Sequence, residues 1–385
     1  MKALTMSNRP TQLNVPIMRL DRQYAALQAE FETAALTVMR SGIYILGDNV
    51  KALEAELAER TESGFGIGVA NGTDSLYLAL RALNVGVGDE VITTPMSYIA
   101  TSEAIVRAGA TPVFVDIVDD ATYLMDVSAV EKAITPKTKA IIPVHLYGQA
   151  VNMDALMSLA KAHHLAVVED CAQAVDATWK GKPVGGFGDM GSFSFFPTKN
   201  LGAFGDGGLL TTSSAEKAQL LRQLRVHGQT STYDHAHEGM NSRLDELQAA
   251  LVRVKVPHLA SWGDARQRIA QRYTDALQAL SVLELPRTQA EAGHVFHQYT
   301  VALKAEAGLD RDAVVARLQE LGVGVRVYYP IPLHLQGMHH DLGYSAGAFP
   351  VAEKACENVF SLPIFPELSD DEQSYVIETL KKVLS

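Results

Sequence analysis

Cysteine is nearly absent from this chain of 385 residues, which has only Cys171 and Cys356. Two thiols cannot build a disulfide framework or a multi-cysteine metal centre. So sparing a use fits a reducing compartment, the cytoplasm. Long apolar runs are missing too. No segment reaches the roughly 20 continuous apolar residues of a membrane helix, and the stretch before Ala25 has no apolar run of signal-peptide length. Basic residues fall short of acidic ones, 33 against 44, for a net charge of -11. That sign disfavours nucleic acid and anionic membrane as main partners, so a small anionic ligand needs a local nest of donors. Internal repeats and low-complexity tracts are also lacking. What is present is an apolar fraction of 47% and a charged fraction of 20%, the make-up of a globular chain with a sizeable core. The length suits one large domain plus a smaller one.

Seven short runs read as strands: Gly66–Ala70, Glu90–Thr94, Thr111–Asp116, Ala140–His145, Leu165–Asp170, Gly191–Phe196 and Gly207–Thr212. Most are continuously apolar, as strands buried on both faces are. Amphipathic helices are predicted between them at Asp74–Leu83, Ser97–Ala108, Val127–Ile134 and Met153–His164. This alternation implies an α/β fold with a mainly parallel seven-stranded sheet, whose ligands bind at the carboxyl ends of strands. After about residue 215 the rhythm changes. Helices are predicted at Ala215–Val226, Leu244–Leu277 (broken by Pro257), Asp310–Leu321 and Ser369–Leu384, with extended chain at Gln298–Lys304 and a short strand at Val323–Tyr328. The expected division is a large domain over 1–255, including the N-terminal segment, and a small C-terminal α/β domain over 256–385.

The densest chemistry lies in residues 166–212. Asp170 ends a buried strand. A carboxylate there can be held ionised by a cation such as a protonated pyridine nitrogen, or it can cap a following helix. Lys199 follows the strand GSFSFF amid Phe195, Phe196, Pro197, Leu201 and Phe204. Most lysines are solvated surface groups, but apolar burial lowers a lysine pKa and frees the amine as a nucleophile. Ser194 can donate to a phosphate or bond its own backbone. In ANGTDSLYLAL (residues 70–80) a strand runs through a turn into a helix. Its first amides, with the hydroxyls of Thr73 and Ser75, make either a phosphate site or an ordinary turn and cap. Neither the dinucleotide nor the Walker glycine spacing is present. Tyr98, just after a strand, can cover a flat cofactor or fill the core.

These segments, together with GDNVKALEAELAE, VHLYGQAVNMD and GMNSRLDELQAA, resemble the DegT/DnrJ/StrS family of sugar aminotransferases, a fold-type I pyridoxal-phosphate (PLP) group, from about Leu20 to the C-terminus. The resemblance implies that Lys199 is the Schiff-base lysine and Asp170 the partner of the pyridine nitrogen. It implies that Gln173 bonds the cofactor's phenolic oxygen, that Gly72, Thr73 and Ser194 bind its phosphate, and that Tyr98 stacks on its ring. Asn241 matches a residue that reaches the phosphate of a neighbouring subunit, which implies a homodimer with shared active sites. Arg243 beside it is a candidate for an acidic substrate group.

The implied reaction moves an amino group from L-glutamate to a nucleotide-linked keto sugar, with Lys199 as acid and base. The segment VRVYYPIPLHLQ resembles a pattern of enzymes that act at the sugar's C3 ketone. Tyr329, Pro330, Pro332, His334 and Gln336 keep it, with Tyr329 and His334 as substrate contacts, but Tyr328 stands where histidine is usual. The histidines at 334, 339 and 340 lack the spacing of a metal site, and none is expected. Two other readings stay open: a PLP-dependent sugar dehydratase, which in this family carries histidine at the position of Lys199, and a non-catalytic regulatory protein of the same fold.

Overall fold

A computed structural model describes residues 13–304 and 308–385. The first twelve residues of the stretch read for a signal peptide therefore lie outside the described residues. All seven predicted strands form and make one sheet. They are β1 (Phe65–Val69), β2 (Glu90–Thr93), β3 (Thr111–Phe114), β4 (Thr138–Ile141), β5 (Ala166–Asp170), β6 (Met190–Ser194) and β7 (Gly208–Thr212). Their spatial order is β1-β7-β6-β5-β4-β2-β3. Pairing is parallel throughout except around β7, which runs against both β1 and β6.

The continuous apolar runs have a simple cause. Val167 of β5 enters one core with Ile92, Ile141, Phe193 and Leu209. The next residue, Val168, enters a second core on the other face with Val91, Ile142, Met190 and Leu210. Helices cover both faces, so each strand residue meets apolar side chains whichever way it points. Each such side chain contributes about 1.5–3 kcal/mol by leaving water.

Helix limits differ from expectation by a turn or less. The helix expected from Asp74 starts at Gly72, because the Asn71 side chain accepts the amide of Asp74. Pro257 interrupts the Leu244–Leu277 helix, as expected. It sits in a single 3-10 turn, Val256–His258, joining Glu246–Lys255 to Leu259–Leu277. Val323–Tyr328 forms no regular strand. Val323 pairs with Val15 and Arg326 with Ser361, so its two bridges run to different neighbours and no ladder propagates.

A third core holds Val15, Ile269, Tyr273, Val301, Leu318, Phe360, Val376 and Leu380. There β8 (Leu283–Glu284), β9 (Tyr299–Leu303) and β10 (Val359–Leu362) pair antiparallel beneath the helices Arg311–Glu320 and Asp370–Leu384. The N-terminal helices Leu20–Ala26, Gln28–Ser41 and Asp48–Arg60 were not anticipated as elements.

One buried ion pair ties three elements together beneath the site. Arg225 donates to Glu54 at 2.5 Å and to the Gly68 carbonyl at 2.7 Å, and Glu54 accepts the Gly68 amide at 2.8 Å. Glu54 is 8% and Arg225 6% exposed. Removing one partner strands a charge in the core. Glu54→Ala or Arg225→Ala is expected to cost about 3–5 kcal/mol, read from urea denaturation. A loss below about 1 kcal/mol would show that the pair contributes no more than a surface one.

Candidate active site

Strands β1, β2, β5 and β6 point the same way, so their carboxyl ends share one edge of the sheet. Asp170 ends β5, and Lys199 lies in the turn after β6. Asp170 is buried, with Oδ2 accepting from the Thr101 hydroxyl at 2.8 Å and Oδ1 from the Ala172 amide at 3.2 Å. A turn follows it rather than a helix, so the helix-cap reading fails. Burial raises its pKa, while the Thr101 and Ala172 bonds and the charge of Lys199 oppose that rise. Among the described residues it makes no ion pair. Lys199 is half-buried, and burial lowers its pKa to about 8, against a smaller opposing pull from Asp170. An amine of lowered pKa thus lies within the field of a buried carboxylate.

Other expected residues gather around this pair. Gln173 accepts the Tyr147 amide at 2.7 Å through Oε1 and donates to the Tyr329 hydroxyl at 3.1 Å through Nε2. Burial, reinforced by the charge of Asp170, raises the Tyr329 pKa. Tyr98 presents an exposed ring, its centroid 6.1 Å from that of Tyr329. One helical turn on, Thr101 reaches back to Asp170. Gly72 opens the helix Gly72–Ala82, and a Cβ there would sit 2.7 Å from Cβ of Ser194 and 3.1 Å from its Oγ. Only glycine lets the helix start come so close to Ser194. Thr73 follows in the first turn, where amides point outward. The Ser194 Oγ accepts the Phe196 amide at 3.3 Å.

Pyridoxal phosphate fits this donor set. The buried carboxylate awaits a cationic ring nitrogen, and the depressed amine awaits an aldehyde. The helix start beside Ser194 offers donors for a phosphate, and the Tyr98 ring lies open for a flat heterocycle.

Three more expected residues lie outside this hydrogen-bonded set. His334 was expected to touch substrate, and its side chain is fully buried. Its Nε2 donates to Glu353 at 3.0 Å, it packs 4.7 Å from the Phe349 ring, and burial lowers its pKa. It anchors the 330–336 loop to the helix Pro350–Asn358. Asn241 is exposed and bridges Val226 through its backbone. Arg243 is half-buried, and its Nε has no partner among the described residues. Between them Ser242 is buried, donating to Asp74 at 2.8 Å.

Two further neighbours went unforeseen. The Asn200 amide donates to the Val295 carbonyl at 3.3 Å, so its oxygen faces Nδ1 of His297 at 3.1 Å, and the proton sits on that nitrogen. Burial and the charge of Lys199 push the His297 pKa well down. Tyr147 adopts a left-handed φ of 58° and donates its hydroxyl to the Tyr328 carbonyl, next to Tyr329. Thr101 could have been found from its spacing to Tyr98, but no local signal marks His297 or Tyr147.

His145, Glu169 and Cys171 come close enough to suggest a metal site. Their donors are already committed. Glu169 accepts the amides of Gly185, Phe187 and Gly188 at 2.8 Å each and Nε2 of His145 at 3.1 Å, while Nδ1 of His145 accepts the Val151 amide at 3.2 Å. The group is a strut behind Asp170.

Residues 25–381 match the model of the DegT/DnrJ/EryC1/StrS aminotransferase family. The chain is 49% identical to a pleiotropic regulatory protein of Geobacillus stearothermophilus, covering 96% of this chain and 98% of that protein. It is 48% identical to a UDP-N-acetyl-3-dehydro-alpha-D-glucosamine 3-aminotransferase of Acidithiobacillus ferrooxidans, again over 96% and 98%. Among solved structures it resembles DesV of S. venezuelae in complex with a ketimine intermediate, with a TM-score of 0.93, 40% identity and coverage of 97% and 99%. It also resembles NtdA of Bacillus subtilis with bound cofactor PMP, with a TM-score of 0.89, 30% identity and coverage of 98% and 87%. The match over residues 25–381 and the identity to these relatives along nearly the whole chain settle the family: the chain belongs to the DegT/DnrJ/EryC1/StrS aminotransferases.

Proposed function

We propose that this protein transfers an amino group from L-glutamate to the C3 ketone of a nucleotide-linked sugar, using pyridoxal phosphate held by Lys199 and Asp170. The observation that carries the reading is the pairing of a lysine of lowered pKa with a buried carboxylate at the carboxyl end of one sheet. The C3 position rests on relatives such as the 3-aminotransferase of A. ferrooxidans. A regulatory role is the second reading, since one relative is named for it. The complete site argues against that role, because a sensor needs no proton-moving amine.

When bound, the cofactor supplies an aldehyde for amines to join and a ring that takes up electrons. The chain's residues do the rest. Asp170 holds the proton on the ring nitrogen, and its own charge is then matched. Gln173 donates toward the phenolic oxygen, and Gly72, Thr73 and Ser194 hold the phosphate. Tyr98 covers the ring and keeps water off it. Lys199 would hold the aldehyde, and with the donor amine in that place its Nζ would be free to take the proton from the donor's α-carbon and, in the return half-reaction, to manage the proton at C3 of the sugar. The depressed pKa suits both directions near neutrality. Arg243 is assigned to the glutamate side-chain carboxylate, and Tyr329 to the sugar's edge of the pocket. Asn241, exposed on one copy, is assigned to the phosphate of a second copy, which makes the working unit a homodimer.

Borohydride reduction of the cofactor-loaded protein should fix the cofactor mass on the peptide containing Lys199, and Lys199→Ala should carry none. Transamination by that variant should fall by about 10²–10⁴-fold, the usual share of a positioned acid–base. Label on another lysine would overturn the assignment. In cofactor-free protein, acylation of Lys199 should rise with pH through a midpoint of about 8, because the neutral amine is the reactive form. A midpoint near the ordinary 10.5 would remove the burial argument.

A further inference from the structure

Lys255 is a buried lysine that the reaction above leaves unused. It ends the helix Glu246–Lys255 and is 3% exposed. Its ammonium donates to a single carbonyl, that of Gly202, at 2.6 Å. The rings of Phe31 and Phe204 lie 5.7 Å and 4.9 Å from it, within cation–π range. No carboxylate forms an ion pair with it among the described residues, and the one acid whose field it feels is Glu367. Burying an ammonium against one carbonyl and two rings is costly, so that carbonyl deserves scrutiny.

Gly202 lies three residues beyond Lys199, in a loop with little freedom. The Lys199 amide donates to the Phe196 carbonyl at 2.8 Å, and the Ala203 amide to the Phe195 carbonyl at 2.7 Å. A Cβ on Gly202 would collide with the Pro197 carbonyl. Fixing Gly202 therefore fixes Pro197 and, through it, the turn that carries Lys199. The same helix grips the loop a second time, two turns earlier, where Gln248 accepts the Phe204 amide at 2.8 Å.

We propose that Lys255 is a positioning residue for Lys199: its charged hydrogen bond to Gly202 holds the 196–203 loop closed and keeps the Lys199 amine in its desolvated setting. The importance of Lys199 rests on the function proposed above. The conformational claim does not, and it is tested on cofactor-free full-length protein.

The test compares wild type with Lys255→Met and Lys255→Gln. Three quantities are measured: hydrogen exchange at the amides of Lys199 and Ala203, the pH midpoint of Lys199 acylation by mass spectrometry, and the melting temperature. Lys255→Met should exchange at least about tenfold faster at Ala203, a loss of about 1.4 kcal/mol of protection. Its Lys199 midpoint should rise toward the ordinary lysine value, because an open loop lets water in. Lys255→Gln, which keeps a donor but no charge, should fall between the two. Unchanged exchange and an unchanged midpoint in a folded Met variant would overturn the proposal. If only Lys255→Gln folds, the same two readouts in it decide. If neither variant melts cooperatively, Lys255 serves global stability and the loop claim is overturned as well. Borohydride labelling of Lys199 is independent of all these outcomes, so failure here and failure of the cofactor assignment are distinguishable.

Discussion

Asp170 and Lys199 sit together at the carboxyl edge of the sheet, each partly stripped of water, and the account depends on that mutual desolvation. Burial pushes the carboxylate up and the amine down, and each charge partly relieves the other. In bulk water the two would be an ordinary acid and an ordinary base. Held here, the carboxylate is poorly solvated and the amine gives up its proton more readily than a free lysine. A planar cofactor with a basic ring nitrogen at one end and an aldehyde nearby answers both needs.

Much of the remaining structure keeps that pair in place. The three amides and one imidazole around Glu169 hold the end of β5 from behind. Thr101 pins one oxygen of Asp170 from the helix that begins beside Tyr98. Arg225 and Glu54 join the helix Asp48–Arg60 to β1, whose far end leads into Gly72. The His297–Asn200 contact lies on one side of the Lys199 turn and the Lys255–Gly202 contact on another. None of these groups needs to touch substrate to matter, since rigid support is what fixes a reactive side chain to within fractions of an ångström.

The sheet was legible in the sequence because strands buried on two faces leave unbroken apolar runs, and all seven runs became its strands. The site was legible where chemistry is local: Lys199 after a strand, Asp170 at a strand end, and Asn-Gly-Thr opening a helix. What escaped depends on distant partners. Nothing near His297 announces that it will face Asn200 across 97 positions. Lys255 reads as an ordinary helix-terminal lysine until Gly202 arrives beside it. The surroundings of His334 escaped for the same reason: nothing in its motif announces that Glu353 and Phe349 will enclose its ring. Val323–Tyr328 carried strand-like residues but found no continuous neighbour.

The central claim is that this edge of the sheet carries a cofactor able to accept and surrender an amino group. The most direct measurement follows the half-reaction on purified, cofactor-loaded protein without any sugar. L-glutamate is added while the visible absorbance and the 2-oxoglutarate released are recorded together. The account predicts loss of the yellow colour, lasting until a keto acceptor is supplied, with 2-oxoglutarate formed in step with the active sites. An unchanged spectrum with no keto acid released, in protein shown to hold its cofactor, would contradict it.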